Sequence, residues 1–205
     1  MTVLVLASQS PARLKTLREA GIEPVVIVSG VNEEQLAGLG PAELAAQLAV
    51  LKASAVARRG DLPAAALVLG CDSVLELDSP GFEQRALGKP GTAEEATSRW
   101  RSMRGRSGTL VTGHCLIDTA TGEQVSEAAY TTVHFAELDD AEIDAYVATG
   151  EPLQVAGAFT IDGRGGAYVT GVDGDHHNVV GVSLPLLRDL VRRLGHQWHE
   201  LWVRP

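Results

Sequence analysis

The sequence predicts an α/β fold with a mixed, strongly twisted sheet and flanking helices, on three observations. Apolar runs of strand length alternate with stretches of helical periodicity through the first half of the chain. Two long runs, Thr109–Asp118 and Glu123–Phe135, face each other across Thr119–Gly122 and read as an antiparallel pair within that order. The 205 residues are 45% hydrophobic and 21% charged, with no repeat, linker or low-complexity stretch, so a single domain over residues 1–205 is expected.

Val3–Leu6 is a continuous apolar strand, as expected at a sheet centre. Ser10 then offers an N-cap and Pro11 suits the first helical turn, where its missing N–H costs nothing. Leu14 and Leu17 give this helix its apolar stripe, and Gly21 ends it. Val25–Val28 is a second strand, followed by a polar bend with Asn32, Glu33 and Glu34. Pro41 opens a long helix to about Arg59, whose stripe is Leu44, Leu48 and Leu51, with Lys52 at its edge. A lysine there either snorkels to water or points into a cleft.

The stretch Leu67–Pro90 is the least ordinary. An apolar strand, Leu67–Leu69, runs through Gly70 and Cys71 into Asp72 before Val74, Leu75 and Leu77 resume the pattern. An acid inside a buried strand costs several kcal/mol, on the order of 2–7, unless it is paired. Leu87-Gly88-Lys89-Pro90 then sets an ammonium in a tight bend. Two readings stand: a site for a charged ligand and a metal, or a buried structural Asp that caps a turn.

Thr92-Ala93-Glu94-Glu95 is a capping box for a helix with Ala96, Trp100 and Met103 inward, stopped at Gly105. After the hairpin, Leu138–Glu142 caps a helix that Gly150 closes. Val155–Ile161 reads as a strand, Gly163-Arg164-Gly165-Gly166 as a flexible link, and Ala167–Val172 as one more strand. In Asp173–Asn178, His176 and His177 are chain neighbours and are not expected to ligate one metal together. Ser183–Leu194 is the last helix, and Trp198 and Trp202 are expected to close an edge.

The net charge of −9 disfavours a nucleic-acid polymer as partner, while a small anion held in a local cationic pocket remains compatible. Cys71 and Cys115 lie in apolar strands and read as buried thiols, which fits a reducing compartment. The apolar start Met1–Ala7 is too short for a signal peptide or a span, so a cytoplasmic protein with no membrane partner is expected.

Ser8, Ser10, Arg13, Lys52 and Lys89 supply donors and positive charge, and Glu33, Asp72 and Asp162 supply carboxylates. The strand–Ser-x-Ser-Pro–helix junction is also an anion site through its N–H groups and dipole, with Arg13 in the first turn. Phosphate chemistry uses this mixture: cations offset phosphate charge, carboxylates hold a hard divalent ion, and one carboxylate deprotonates water. Neither a P-loop nor a Gly-x-Ser-x-Gly elbow is present, and His196 and His199 lack partners at zinc spacing.

Leu6-Ala7-Ser8-Gln9-Ser10-Pro11-Ala12-Arg13, the Glu33 bend, Lys52-Ala53, Gly70-Cys71-Asp72-Ser73-Val74, Leu87-Gly88-Lys89-Pro90 and Thr112-Gly113 follow one another in order. With Ala156-Gly157-Ala158-Phe159 and Asn178-Val179-Val180-Gly181, this set resembles the Maf family of nucleoside triphosphate pyrophosphatases, over about residues 4 to 190. The resemblance implies an elongated fold with a cleft between two lobes, often as a homodimer. It implies hydrolysis of modified or non-standard nucleoside triphosphates to monophosphate and pyrophosphate, assisted by Mg²⁺ or Mn²⁺. Asp72 then maps onto the proton acceptor, Ser8 and Arg13 onto phosphate contacts, Lys52 and Lys89 onto the catalytic lysines, and Glu33 with Asp72 onto the metal acids.

Three departures bear on substrate choice. Ala12 stands where many members carry a first arginine, Ser73 where Thr or Gln is common, and Asp162 where a Gln or Glu is expected. Ser10, Ser73 and Asp162 are accordingly expected to touch substrate, and the shorter Asp162 would read a different base edge. The alternative to an enzyme is a non-catalytic nucleotide-binding regulator of cell division, and a nucleotidyltransferase is a third possibility without its glycine-rich signature.

Overall fold

The computed structural model describes residues 2–32, 36, 38–77 and 86–203. The strands are β1 (Val3–Leu6), β2 (Val25–Val26), β3 (Ala66–Leu77), β4 (Ala86–Leu87), β5 (Ser107–Asp118), β6 (Gln124–Phe135) and β7 (Val169–Asp173). The helices are α1 (Pro11–Glu19), α2 (Pro41–Ala57), α3 (Ala93–Met103), α4 (Asp140–Ala148), α5 (His176–Val180) and α6 (Leu184–Arg193). Among the described residues the strands form one mixed sheet in the order β2-β1-β3-β5-β6-β7, with β4 beside β3. No described helix is long and apolar enough to cross a membrane.

β3 is the spine of this sheet, and its neighbours change along its length. Ala66–Leu69 pair in parallel with Val3–Leu6 of β1, and Leu67–Leu77 pair antiparallel with β5 throughout. The β1 backbone makes its last bond to β3 from the Ala7 N–H to the Leu69 carbonyl at 2.8 Å. On that edge pairing resumes only at Leu75 and Glu76, which face β4. Gly70–Val74 therefore border an opening at the carboxyl end of β1, where α/β sheets bind ligands. Asp72 lies at the middle of that gap.

α2 lies against the sheet because two glycines let it. A Cβ on Gly70 would sit 2.2 Å from the Ala49 carbonyl oxygen, and one on Gly113 would sit 2.2 Å from that of Ala45. The helix answers with small residues, Ala45, Ala49 and Ala53, each fully buried. This corrects the expected stripe: Leu48 is buried, but Leu51 is exposed and Lys52 faces inward. A glycine floor accepts alanines where leucines would hold the helix away.

Two apolar clusters follow one another along the face of β3 opposite α2, one holding Leu67, Leu69 and Cys71 and the other Leu75 and Leu77. Leu4, Leu6, Leu17, Leu69, Leu187 and Leu190 join β1 and β3 to α1 and α6. Around Trp100, the rings of Phe135, Tyr146 and Tyr168 stand edge-on at 5.5–5.8 Å and unite α3, α4 and β6. The expected strand at Val155–Ile161 is absent; Glu151–Gln154 and Ala156–Ala158 form short 3-10 turns instead. Gly157 and Ala158 adopt φ of 73° and 62°, which no strand allows, and the Trp100 indole N–H holds the Ala158 carbonyl at 2.8 Å.

Candidate functional site

The opening beside β3 is a cleft of about 940 Å³. Its walls bring together seven of the expected residues: Ser8, Ser10, Arg13, Lys52, Asp72, Ser73 and Lys89, with Asp162 as the eighth. Glu33, the expected metal acid, lies outside the described residues.

Asp72 and Lys52 form the floor. The Lys52 ammonium donates to Asp72 Oδ1 at 2.6 Å, and the two side chains keep only 11% and 12% of their exposure. The partner offsets the desolvation that a lone carboxylate would suffer in this strand. The backbone explains the pairing: α2 rests on Gly70, and Lys52 precedes the alanine in contact with it. Neighbouring Cys71 is wholly buried, and desolvation pushes its thiol up to about 12, so it is a packing group. Cys115 is likewise a free, buried thiol, pushed up to about 12.

Arg13 lies on the adjoining wall. Its Nη1 donates to Ser8 Oγ at 3.2 Å, its Nη2 to Ser73 Oγ at 3.0 Å, and its Nε to the Gly181 carbonyl at 2.7 Å. These partners are uncharged oxygens that fix the guanidinium, and among the described residues no carboxylate forms an ion pair with it. Ser10 caps α1, accepting from the Arg13 N–H at 3.4 Å, and its own N–H donates to Ser8 Oγ at 3.1 Å. The helix start, both serines and the arginine are thus one unit, with the dipole adding to the positive charge.

Lys89 stands exposed on the opposite side, in the bend after β4. The Gly88 carbonyl fixes that bend by accepting from the Arg99 guanidinium at 2.5 Å and from the Gly157 N–H at 3.2 Å. Asp162 lies on the rim, 3.4 Å from the Lys15 ammonium of α1. The arrangement can hold a polyanion along Arg13 and Lys89, with a carboxylate poised below.

Two residues without an assigned role in the sequence prove structural to the site. Thr112 Oγ1 lies 2.9 Å from Ser73 Oγ and donates to the Asn178 carbonyl at 3.2 Å, fixing the serine that Arg13 grips. Asn178, fully buried, donates from Nδ2 to the Leu110 carbonyl and to Thr131 Oγ1. Polar residues within apolar strands and turns were the available signal; their partners are 39 to 68 residues away.

A second cluster lies at the start of α5. Ligand atoms of Asp175, His176 and His177 fall within 4.8 Å of one another, and the two imidazole centroids are 3.8 Å apart. Chain neighbours can therefore converge here, contrary to the expectation, because His177 Nδ1 turns back to Asp175 Oδ1 at 3.1 Å.

A family model described as Maf-like protein matches residues 3–194 of the chain. A nucleoside triphosphate pyrophosphatase of Streptomyces coelicolor is 60% identical over 200 residues, covering 98% of this chain and 94% of that protein. A nucleoside triphosphate pyrophosphatase of Cutibacterium acnes is 52% identical over 210 residues, covering 100% and 96%. Among solved structures, the Staphylococcus aureus Ham1 protein matches with a TM-score of 0.52 at 14% identity, covering 95% of this chain and 100% of that one, a likeness of fold.

Proposed function

The chain belongs to the Maf-like protein family, and we propose that it hydrolyses nucleoside triphosphates to nucleoside monophosphate and pyrophosphate in the cleft beside Asp72. The observation that carries the reading is the Asp72–Lys52 pair at the floor of a cleft whose wall presents the Arg13 guanidinium on neutral oxygens. A buried structural Asp would have no need of that wall.

In this reading Arg13, Lys89 and the start of α1 bind the polyphosphate and spread its charge over fixed donors. Asp72 takes a proton from a water as the water oxygen bonds to phosphorus and the α–β anhydride breaks. The departing pyrophosphate carries the electron pair of the broken bond, and the lysines stabilise it. Lys52 holds the Asp72 carboxylate aimed before the water arrives. Ser73, tied to Thr112 and Arg13, orients the guanidinium.

A divalent cation, Mg²⁺ or Mn²⁺, fits the chemistry of the cleft, whose side-chain oxygens are carboxylate, hydroxyl and carboxamide groups suited to a hard ion. Asp72 would hold it together with phosphate oxygens of the substrate, and Glu33 is the further acid proposed for this role. When bound, the ion neutralises charge developing on the phosphates. Modified or non-standard nucleotides as substrates, a cytoplasmic location and a homodimer complete the proposal.

The test is pyrophosphate release from a panel of standard and modified nucleoside triphosphates, with and without Mg²⁺ or Mn²⁺. Release in a 1:1 ratio to monophosphate, dependent on the ion, is the expected result. Binding of nucleotide without release across the panel would reject catalysis and favour a nucleotide-binding regulator.

A further inference from the structure

Four donors converge on one carboxylate outside the cleft. Glu151 Oε1 accepts from the Tyr146 hydroxyl at 3.0 Å, the Thr160 hydroxyl at 2.5 Å and the Gly165 N–H at 3.0 Å. Its Oε2 accepts from the Arg164 N–H at 3.1 Å. Burial acts to raise the pKa of this carboxyl, but the donors outweigh it and hold Glu151 below the usual carboxylate range.

The loop from Thr160 to Gly165 is drawn tightly around this group. A Cβ on Gly163 would lie 2.6 Å from Thr160 Oγ1 and 2.9 Å from Glu151 Oε1, and one on Gly165 would lie 2.4 Å from the Tyr146 hydroxyl. These glycines permit close approach. Tyr146 in turn is 98% buried in the aromatic cluster, with its ring 5.5 Å from that of Trp100. Glu151 thus ties the loop to the buried aromatic cluster around Trp100.

The same loop presents Thr160, Ile161 and Asp162 to the cleft. Asp162 on this wall, paired with the Lys15 ammonium at 3.4 Å, offers phosphate no net attraction, whereas Arg13 and Lys89 attract it. The wall is therefore suited to the uncharged part of a nucleoside triphosphate. We propose that Glu151 is a positioning residue, whose carboxylate fixes the 160–165 loop so that Thr160, Ile161 and Asp162 hold the nucleoside end of the substrate. The proposal rests on the pyrophosphatase reading for the identity of the ligand.

The experiment compares Glu151→Ala and Glu151→Gln with the unaltered protein, measuring melting temperature, kcat, KM and two affinities. The probes are an α,β-methylene nucleoside triphosphate, which the enzyme cannot cleave, and inorganic tripolyphosphate, which has no nucleoside. Glu151→Ala is expected to raise Kd for the nucleotide analogue and KM by about 10-fold, with kcat and the tripolyphosphate Kd changed by no more than about 2-fold. Glu151→Gln retains one acceptor oxygen and places an N–H₂ where another N–H must be met, so a rise of about 3-fold confined to the nucleotide is expected. If the alanine variant does not fold, the glutamine variant decides alone. Equal weakening toward both probes, or a lowered melting temperature with unchanged nucleotide affinity, would overturn the proposal. A protein that binds the analogue but releases no pyrophosphate would refute the activity, and the paired affinities would still decide the role of Glu151.

Discussion

Gly70 of β3 lies so close beneath Ala49 of α2 that a Cβ added to it would come within 2.2 Å of the Ala49 carbonyl oxygen and 2.7 Å of the Ala53 N–H nitrogen. Both obstacles are backbone, so Gly70→Ala must lift the helix. A cost of about 2–3 kcal/mol is expected, at the upper end for overpacking. The lifted helix also withdraws Lys52 from Asp72, so kcat is expected to fall in the fraction that remains folded. Urea denaturation and pyrophosphate release on the same samples check both effects.

Lys52→Met removes one partner of a largely buried ion pair. Loss of this bond makes the variant less stable by about 3 kcal/mol, the lower end of the range because both groups keep some exposure. Adding Asp72→Asn removes the other charge of the pair, and the double variant is expected to regain more than half of that loss. Urea midpoints of the two single variants and the double variant measure the coupling. Simple additivity would mean that the pair does not stabilise the fold.

Lys89 is exposed, and no described group pairs with it, so Lys89→Ala is expected to leave the melting temperature unchanged. Its loss should lower kcat/KM for a nucleoside triphosphate by roughly 10- to 100-fold, as for a lost bond to a charged group. An unchanged kcat/KM removes Lys89 from the site.

His114 makes stability depend on pH. It is fully buried, and its Nε2 accepts from the Ser183 N–H at 2.9 Å, so Nδ1 carries the proton and donates to the Thr112 carbonyl at 3.0 Å. Burial lowers its pKa from 6.5 to about 4. Between those values the unfolded chain binds a proton that the folded protein does not, so stability falls as pH drops through that window. At pH 4.5 the expected loss from this group is about 2–3 kcal/mol relative to pH 7.5. Urea titrations at both values, with His114→Gln as reference, should show a steeper loss in the unaltered protein.

Much of this was legible in the sequence, for reasons that particular residues make plain. Asp72 stood out because a charge interrupts the apolar strand Leu67–Leu77, and Ser10-Pro11 marked the start of α1 by capping chemistry alone. The hairpin of β5 and β6 followed from two long runs and a short turn. What failed to show were arrangements set by distant neighbours. Val155–Phe159 has a strand-like composition, yet Trp100 and Leu75 shape it into turns. Gly163-Arg164-Gly165-Gly166 read as flexible, although its glycines serve close packing around Glu151. The α2 stripe was misjudged at Leu51 because nothing local reveals that Gly70 and Gly113 lie beneath the helix.

The most direct test of the central claim is the rate of pyrophosphate release by Asp72→Asn beside the unaltered protein, each folded and saturated with nucleoside triphosphate and Mg²⁺. If Asp72 accepts the proton, kcat falls by roughly 10²- to 10⁴-fold in the folded protein, while breaking the Lys52–Asp72 pair lowers the melting temperature by roughly 5–10 degrees. A folded Asp72→Asn protein that releases pyrophosphate at nearly the original rate would contradict the account.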